Sequence, residues 1–336
     1  MKTYRYRDHI ALDQLELVDV PTPTPGSHEL LLRIRAVSLN YRDLAIARTG
    51  YGGFAAPLVP LSDAAGEVVA RGAGVTRFAV GDLVIPIYLP DWLDGPARPE
   101  LVKRRLGGPS DGVLGEYLVV HEQAAVRAPA HLGAGEAATL SIAALTAWQA
   151  VFVDAQLRSG ETVAIHGTGG VALFVVQLAR AAGAIPIVIA RDPARAARAA
   201  ALGALAIDTR SDPDWERRVL ALTDQRGADV FVDVVGGDQL PRAVTATRLG
   251  GTIALVGFAA GTTTTLALLP IINRALTLRA VSVGNRAAFT GLIRALEASR
   301  IRPVIDRVFP FERARDAFHH LETGRPFGKV VIEVAP

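Results

Sequence analysis

The sequence contains no cysteine and a single methionine among its 336 residues. Without thiols there is neither a disulfide framework nor a thiolate metal site, so cysteine-ligated zinc and dithiol redox chemistry are excluded at the outset. Charge of one sign is also lacking: 36 Lys and Arg against 33 Asp and Glu leave a net charge of +3. The basic residues are scattered among acids rather than laid out as a stripe, which argues against a nucleic-acid partner. Lys103-Arg104-Arg105 is the one compact basic cluster, and its Gly/Pro-rich setting reads as a solvated charge run. No stretch approaches the roughly 18 uninterrupted apolar residues that suggest a membrane span. The opening Met1-Lys2-Thr3-Tyr4-Arg5-Tyr6-Arg7-Asp8 lacks the apolar core and small-residue cleavage site of a secretory signal. A cytoplasmic protein without a membrane partner is the expectation.

What is present is apolar material, 50% of residues against 21% charged, which excludes a disordered chain. Single cores stop growing beyond about 250–300 residues, so two domains are expected. Up to about residue 125 short strand-like runs alternate with Gly and Pro: Glu29 to Val37, Ala65 to Ala70, Asp82 to Ile87 and Gly115 to Val120. They predict an irregular β domain. Between Tyr88 and Val113 lies a long Gly/Pro-rich loop, of the kind that is usually functional or partly disordered. From about residue 135 Ala-rich helical stretches alternate with apolar runs at Thr162 to His166, Ile187 to Ala190, Ala228 to Val235 and Thr252 to Val256. That alternation predicts an α/β fold with a doubly wound, mostly parallel sheet. Asp192-Pro193 and Asp212-Pro213 read as helix starts, and Gly183 and Gly203 as helix ends. Pro186 conflicts with a central strand unless it is that strand's first residue. After about residue 287 the first domain resumes, which divides the chain into 1–125 with 288–336, and 126–287.

The strand Thr162 to His166 runs into Gly167-Thr168-Gly169-Gly170-Val171-Ala172, a G-x-G-x-x-A turn opening an apolar helix. Gly167 makes the tight turn, Gly169 lets a pyrophosphate approach the backbone, and Ala172 allows close helix–strand packing. The helix N-terminus supplies free N–H groups and a positive dipole. With its strand, its helix and the β-α units that follow, the turn predicts a dinucleotide site. An NAD site carries a ribose-binding acid at the end of the next strand, roughly 20 residues on. Here the strand ends in Ala190-Arg191-Asp192-Pro193-Ala194-Arg195. Asp192 could be that ribose acid, but before Pro193 it reads rather as a helix cap, while Arg191 and Arg195 suit a 2′-phosphate, so NADP is expected over NAD.

Nearly the whole chain then resembles the medium-chain dehydrogenase/reductase superfamily, and within it the zinc-free quinone oxidoreductase-like branch. The resemblance is carried by Val37-Ser38-Leu39-Asn40-Tyr41-Arg42-Asp43-Leu44, Pro60 to Val68, Val80-Gly81-Asp82, Leu145-Thr146-Ala147-Trp148, the glycine turn, Val235-Gly236-Gly237 and Phe327-Gly328-Lys329-Val330-Val331. It implies a split GroES-like catalytic domain, a Rossmann domain between its halves, an active-site cleft between the two, and a homodimer. Zinc-dependent members have a cysteine near Asn40 to Arg42 and Gly-His-Glu where this chain has Leu61-Ser62-Asp63. Asp43 and Asp63 are too few for zinc, and the seven histidines show no ligand spacing, so no metal is expected. His166 and the pair His319-His320 read as structural.

By resemblance Asn40 and Tyr51 face the nicotinamide and substrate, Asn40 holding an oxygen and Tyr51 donating to the developing oxyanion. Tyr41 and Arg42, the latter oriented by Asp43, are further catalytic candidates; an aromatic plug over the turn is the other reading of Tyr51. Thr146, Val235, Gly236, Gly257, Phe258 and Lys329 match positions that line the cofactor cleft, alongside Gly167, Thr168, Gly169, Gly170 and Val171. Thr209 stands where relatives carry Asn-Tyr, with Arg210 adding charge. By the same resemblance the 88–113 loop replaces a structural zinc lobe, and Trp92 either caps substrate or anchors the loop toward solvent. Without zinc to stabilise an alkoxide, activated acceptors suit the sequence best, because hydride to a conjugated carbon spreads charge into a phenolate or enolate. The expected activity is NADPH-dependent reduction of a quinone or α,β-unsaturated carbonyl. A zinc-free alcohol dehydrogenase or ketoreductase is the alternative. A non-catalytic NADPH-sensing protein is the third reading, and Asn40 and Tyr51 argue against it.

Overall fold

The computed structural model describes residues 1–334. The chain divides into two compact units, Met1–Leu145 with the segment from Gly284 onward, and Thr146–Val283. The first boundary falls later than the expected 125/126. Residues beyond 125 still belong to the first sheet: Ala125–Arg127 pairs with Leu83–Pro86, and Ser141 Oγ donates to Pro86 O at 3.0 Å and accepts Tyr88 N at 3.1 Å. The onset of helix therefore precedes the change of unit. The expected range 288–336 ends on Ala335 and Pro336, which lie outside the described residues.

The first unit contributes strands β1 (Lys2–Tyr6), β2 (Leu15–Asp19), β3 (Glu29–Leu39), β4 (Asp63–Arg71), β5 (Leu83–Pro86), β6 (Tyr117–His121) and β7 (Ala125–Arg127). The second unit contributes β8 (Thr162–His166), β9 (Ile185–Ala190), β10 (Leu205–Asp208), β11 (Ala228–Asp233), β12 (Thr247–Leu255) and β13 (Thr277–Ala280), after which β14 (Ile305–Pro310) and β15 (Lys329–Glu333) return to the first.

In the first unit the order is β14-β15-β3-β4-β5-β7, with β6 also paired to β3. The long strand β3 alternates half-buried and buried positions, so Leu30, Leu32 and Ile34 enter a core that also takes Val68, Val84, Phe318 and Ile332. Its last residues pair on both sides at once: Ser38 with Asp63 of β4, and Leu39 with Val330 of β15. The end of β3 and the first residues of β4 and β15 thus share one end of the sheet.

The second unit is a six-stranded parallel sheet of order β10-β9-β8-β11-β12-β13. This is the doubly wound order in which the chain reverses between β8 and β11. Both of those strands are buried throughout, as strands covered on both faces must be. Pro186 is the second residue of β9, not its first. Ile185 N donates to Glu161 O on the β8 side, so Pro186 faces β10, whose pairing begins only at Ile187. The missing N–H falls where no partner strand has yet started.

Asp192 caps the helix Pro193–Ala201, its carboxylate accepting Arg195 N at 3.0 Å. Gly183 and Gly203 close their helices with φ of +76° and +90°. Asp212-Pro213 does not start a helix: Asp212 N closes a turn onto Asp208 O, and the helix begins two residues later at Trp215–Leu222. No helix among the described residues is long and apolar enough to cross a membrane.

Candidate active site and dinucleotide seat

In the first unit, Asn40 ends β3 and opens the helix Tyr41–Thr49, its N–H donating to the Asp43 carboxylate at 2.8 Å. Its side-chain amide is spanned by opposite charges. Lys329 Nζ, on the first residue of β15, donates to Asn40 Oδ1 at 2.7 Å and to Leu39 O at 2.7 Å. Asn40 Nδ2 donates to Asp63 Oδ2, on the first residue of β4, at 2.8 Å. Asp63 and Lys329 lie 3.3 Å apart, both buried. The register of three strands produces this meeting; nothing local does.

The electrostatics follow from burial. Burial pushes the Asp43 carboxyl up to about 6, against the pull of the Arg42 guanidinium and the Asn40 N–H, with the Asp63 charge adding to the rise. Burial likewise raises Asp63 against Lys329 and Asn40, and lowers Lys329 against Asp63 and Asp43. Tyr6, also buried, is pushed up by burial and by the Asp43 charge.

Arg42 is placed in a bracket for the 88–113 loop. Its Nη1 donates to Ser62 Oγ at 2.5 Å and to Leu106 O at 3.3 Å, and its Nη2 to Gly108 O at 3.4 Å. Asp43 lies 3.4 Å from it and the Tyr88 ring 5.0 Å from its guanidinium carbon. These contacts, rather than an open surface, take up its donors. Tyr41 and Tyr51, 45% and 40% exposed, flank the same helix at its start and just past its end. Tyr88 is buried. Burial raises its phenol, Arg42 and Arg105 pull it down, and the nearby Tyr51 phenol adds to the rise. Trp92 is not solvent-facing: it is buried, donates from Nε1 to Gly95 O at 2.9 Å, and its carbonyl accepts Arg286 N at 3.1 Å.

In the second unit, Gly167 turns the chain with φ of +79°, and its N–H returns to Ile189 O at 2.8 Å. A Cβ on Gly167 or Gly169 would meet nothing within 4 Å, so the backbone there is open to a ligand ahead of the twelve-residue helix Gly170–Ala181. That open cradle at a helix N-terminus fits a dinucleotide pyrophosphate. Val171 opens the apolar face of that helix and Ala172 is buried against the sheet. Thr168 Oγ1 accepts Arg195 Nη1 at 2.7 Å, and Arg195 Nε lies 3.3 Å from Asp192. Arg191 follows β9 directly, and Thr209 N donates to Ala190 O at 2.9 Å beside it.

At the ends of β11 and β12 a second loop pair closes. Asp233 Oδ1 accepts the N–H groups of Val235 and Gly236 at 2.9 and 3.0 Å, and Ala260 N donates to Val235 O at 2.8 Å. Gly257 packs so tightly that a Cβ would stand 2.3 Å from Val234 O; Phe258 follows it. Burial raises the Asp233 carboxyl, but His166 and these two N–H groups together hold it below the usual carboxylate range. His166 is buried edge-on to Trp215 and Phe231, at ring distances of 4.5 and 5.1 Å, with Nδ1 3.7 Å from Asp233. His320 pairs with Asp306 at 2.8 Å, and Asp306 also accepts Phe327 N ahead of Lys329. Thr146 is buried at the start of the unit. Sequence reasoning missed Tyr88 and Asp233, whose neighbours on either side are apolar, and set Asp63 aside as an insufficient metal ligand.

A split β unit interrupted in sequence by a doubly wound unit with a glycine-turn cradle defines a dinucleotide-dependent oxidoreductase. Residues 26–130 match the alcohol dehydrogenase GroES-like domain, and residues 170–298 the zinc-binding dehydrogenase family. The chain is 35% identical over 98% of its length to a zinc-type alcohol dehydrogenase-like protein of Schizosaccharomyces pombe, covering 99% of that protein. It is 32% identical over its full length to the 2-methylene-furan-3-one reductase of Solanum lycopersicum, covering 80% of it. Among solved structures, a Sinorhizobium meliloti 1021 protein described as an alcohol dehydrogenase superposes with a TM-score of 0.92 at 40% identity, each chain covered to 99%. The chain belongs to the medium-chain dehydrogenase/reductase superfamily, and it is an oxidoreductase with a nicotinamide cofactor.

Zinc, which two of those descriptions mention, has no fitting donor set here. Asp63 faces an ammonium and an amide N–H, and among the described residues no three His, Asp or Glu side chains stand together to hold a metal.

Proposed function

We propose that this oxidoreductase uses NADPH, without zinc, to reduce a quinone or α,β-unsaturated carbonyl. The observation that carries the reading is the Asn40 amide held between Lys329 and Asp63: this end of the sheet offers hydrogen-bond donors where a Lewis acid would otherwise sit. Donors of this kind suffice when charge spreads through a conjugated product, and serve a simple alkoxide poorly. A bound nicotinamide supplies the hydride. Asn40 offers its second amide N–H to the substrate oxygen, and Tyr51 holds a phenolic proton for the oxyanion. The tomato relative, named for reduction of a methylene-furanone, is similar over the full chain and fits this substrate class.

The cofactor reading rests on Asp192, whose carboxylate is occupied by the helix cap and by Arg195, and on the positive charge that Arg191 and Arg195 bring to this strand end for a 2′-phosphate. A homodimer follows the family's habit; Leu268, Leu269 and Ile272 are exposed on one short helix of the second unit.

The test is NADPH and NADH oxidation by the purified protein against quinone, enone and simple ketone panels, repeated with Arg191→Ala. We expect turnover of quinones or enones, and a KM for NADPH raised about tenfold by the loss of one charge-assisted contact. A preference for NADH untouched by Arg191→Ala overturns the cofactor reading. Activity confined to unactivated ketones and alcohols establishes the alcohol dehydrogenase reading, which the names of the yeast and bacterial relatives favour.

A further inference from the structure

We infer that Asp63 and Lys329 are positioning residues that fix which end of the Asn40 amide faces the substrate, and so commit the site to an oxygen that gains negative charge. The inference rests on the proposed contact between Asn40 and the substrate oxygen.

An asparagine side chain is nearly symmetric in shape, and in open solvent its C=O and NH2 ends exchange places freely. At Asn40 the two neighbours remove that freedom. Lys329 has only donors and stands 2.7 Å from Oδ1; the Asp63 carboxylate has acceptors and stands 2.8 Å from Nδ2. Turning the amide over would set NH2 against an ammonium and C=O against a carboxylate, both in a buried setting where such contacts are screened least. The clamp is itself anchored: Lys329 also donates to Leu39 O at 2.7 Å, and its ammonium lies 3.3 Å from Asp63. Each partner starts a strand flanking β3, so the clamp is held by backbone pairing on both sides.

What Asn40 then has left is one N–H and one lone pair, on a side chain that is only half-buried. The remaining N–H lies at the amide end held by the carboxylate, and it always presents a donor. A carbonyl or quinone oxygen is strengthened as a partner when hydride arrives, because its charge rises. A ligand group that must donate a proton gains nothing from that N–H. Lys329, placed by resemblance among cofactor-lining residues, thereby acquires a role through Asn40.

A purely structural ion pair joining three strands is the competing account, and activity together with amide exchange separates the two. The double variant Asp63→Asn/Lys329→Met removes both charges while preserving bulk. We expect it to fold and to lose kcat on the order of 10²-fold, the effect of a misdirected contact and a larger change than any in the KM for NADPH. In 15N-labelled wild-type protein, with the Asn40 side-chain signals assigned through Asn40→Asp, one NH2 proton should exchange slowly with solvent and the other quickly. That difference should shrink in the double variant, where a neutral amide oxygen is the acceptor left at position 63. An unchanged kcat in the folded double variant overturns the inference, and so do two wild-type NH2 protons that exchange alike, which decides the matter even where the double variant does not fold. Unequal exchange in a wild type that turns over no quinone or enone would sustain the orienting clamp and reject the proposed substrate class.

Discussion

Replacing Asp43 by asparagine isolates the cost of keeping a carboxylate inside the first unit. The side chain is buried, and burial raises its pKa from 3.8 to about 6 despite Arg42 at 3.4 Å. A shift of about two units corresponds to roughly 3 kcal/mol at about 1.4 kcal/mol per unit. The folded state binds this proton more tightly than the unfolded chain, so the contribution to stability is complete below the unfolded value. It is lost as pH rises through 6. Asparagine keeps an oxygen for the Asn40 N–H and carries no titrating charge. Denaturant unfolding of both proteins between about pH 3 and about pH 8, followed by tryptophan fluorescence, should show the variant gaining roughly 3 kcal/mol on the wild type as pH rises. Parallel curves would refute the reasoning. A variant that loses ground with rising pH would show that the Arg42 pairing outweighs burial.

Two further outcomes follow from single contacts. Gly257→Ala places a methyl 2.3 Å from Val234 O, a backbone atom that cannot swing aside, so overpacking of about 1–3 kcal/mol is expected. Because the same loop pairs with Val235 and Gly236, the KM for NADPH should rise more than kcat falls, as steady-state kinetics will register. Asn285→Ala removes the cap of the helix Arg286–Ser299, whose Ala288 N–H the side chain accepts at 2.8 Å. A loss of about 1 kcal/mol in denaturant unfolding is expected, largely restored by aspartate.

How much of this was legible in the sequence depended on the range of the interaction. The glycine turn, the Asp192-Pro193 cap and the buried runs of β8 and β11 are written within a dozen neighbouring residues, and local pattern recovers them. The Asp212-Pro213 start failed because the same dipeptide also closes a turn, and only the Asp212 N–H, spent on Asp208 O, distinguishes the two. Trp92 was ambiguous for a related reason: its backbone carbonyl is bonded by Arg286, almost two hundred residues away in the chain. The Asn40 clamp was beyond reach altogether. Its members belong to three strands, and no local periodicity encodes that Ser38 pairs with Asp63 or Leu39 with Val330. Arg42 and Lys329 could be singled out as candidates from the resemblance. What they touch could be learned only from register.

The place of β15 between β14 and β3 has a consequence for how the protein comes to exist. A ribosome makes β3 and β4 early, then the whole of the second unit, and only afterwards the strand that completes the first sheet. Until then the β3 edge from Ala36 to Leu39 has no partner, Asn40 has no ammonium beside it, and Asp63 waits as a carboxylate without its counter-charge. The second unit can be finished while the first sheet is still open. A chain cut short before Lys329 would lack the ammonium beside Asn40, and its unpaired sheet edge would mark it for the cell's quality control.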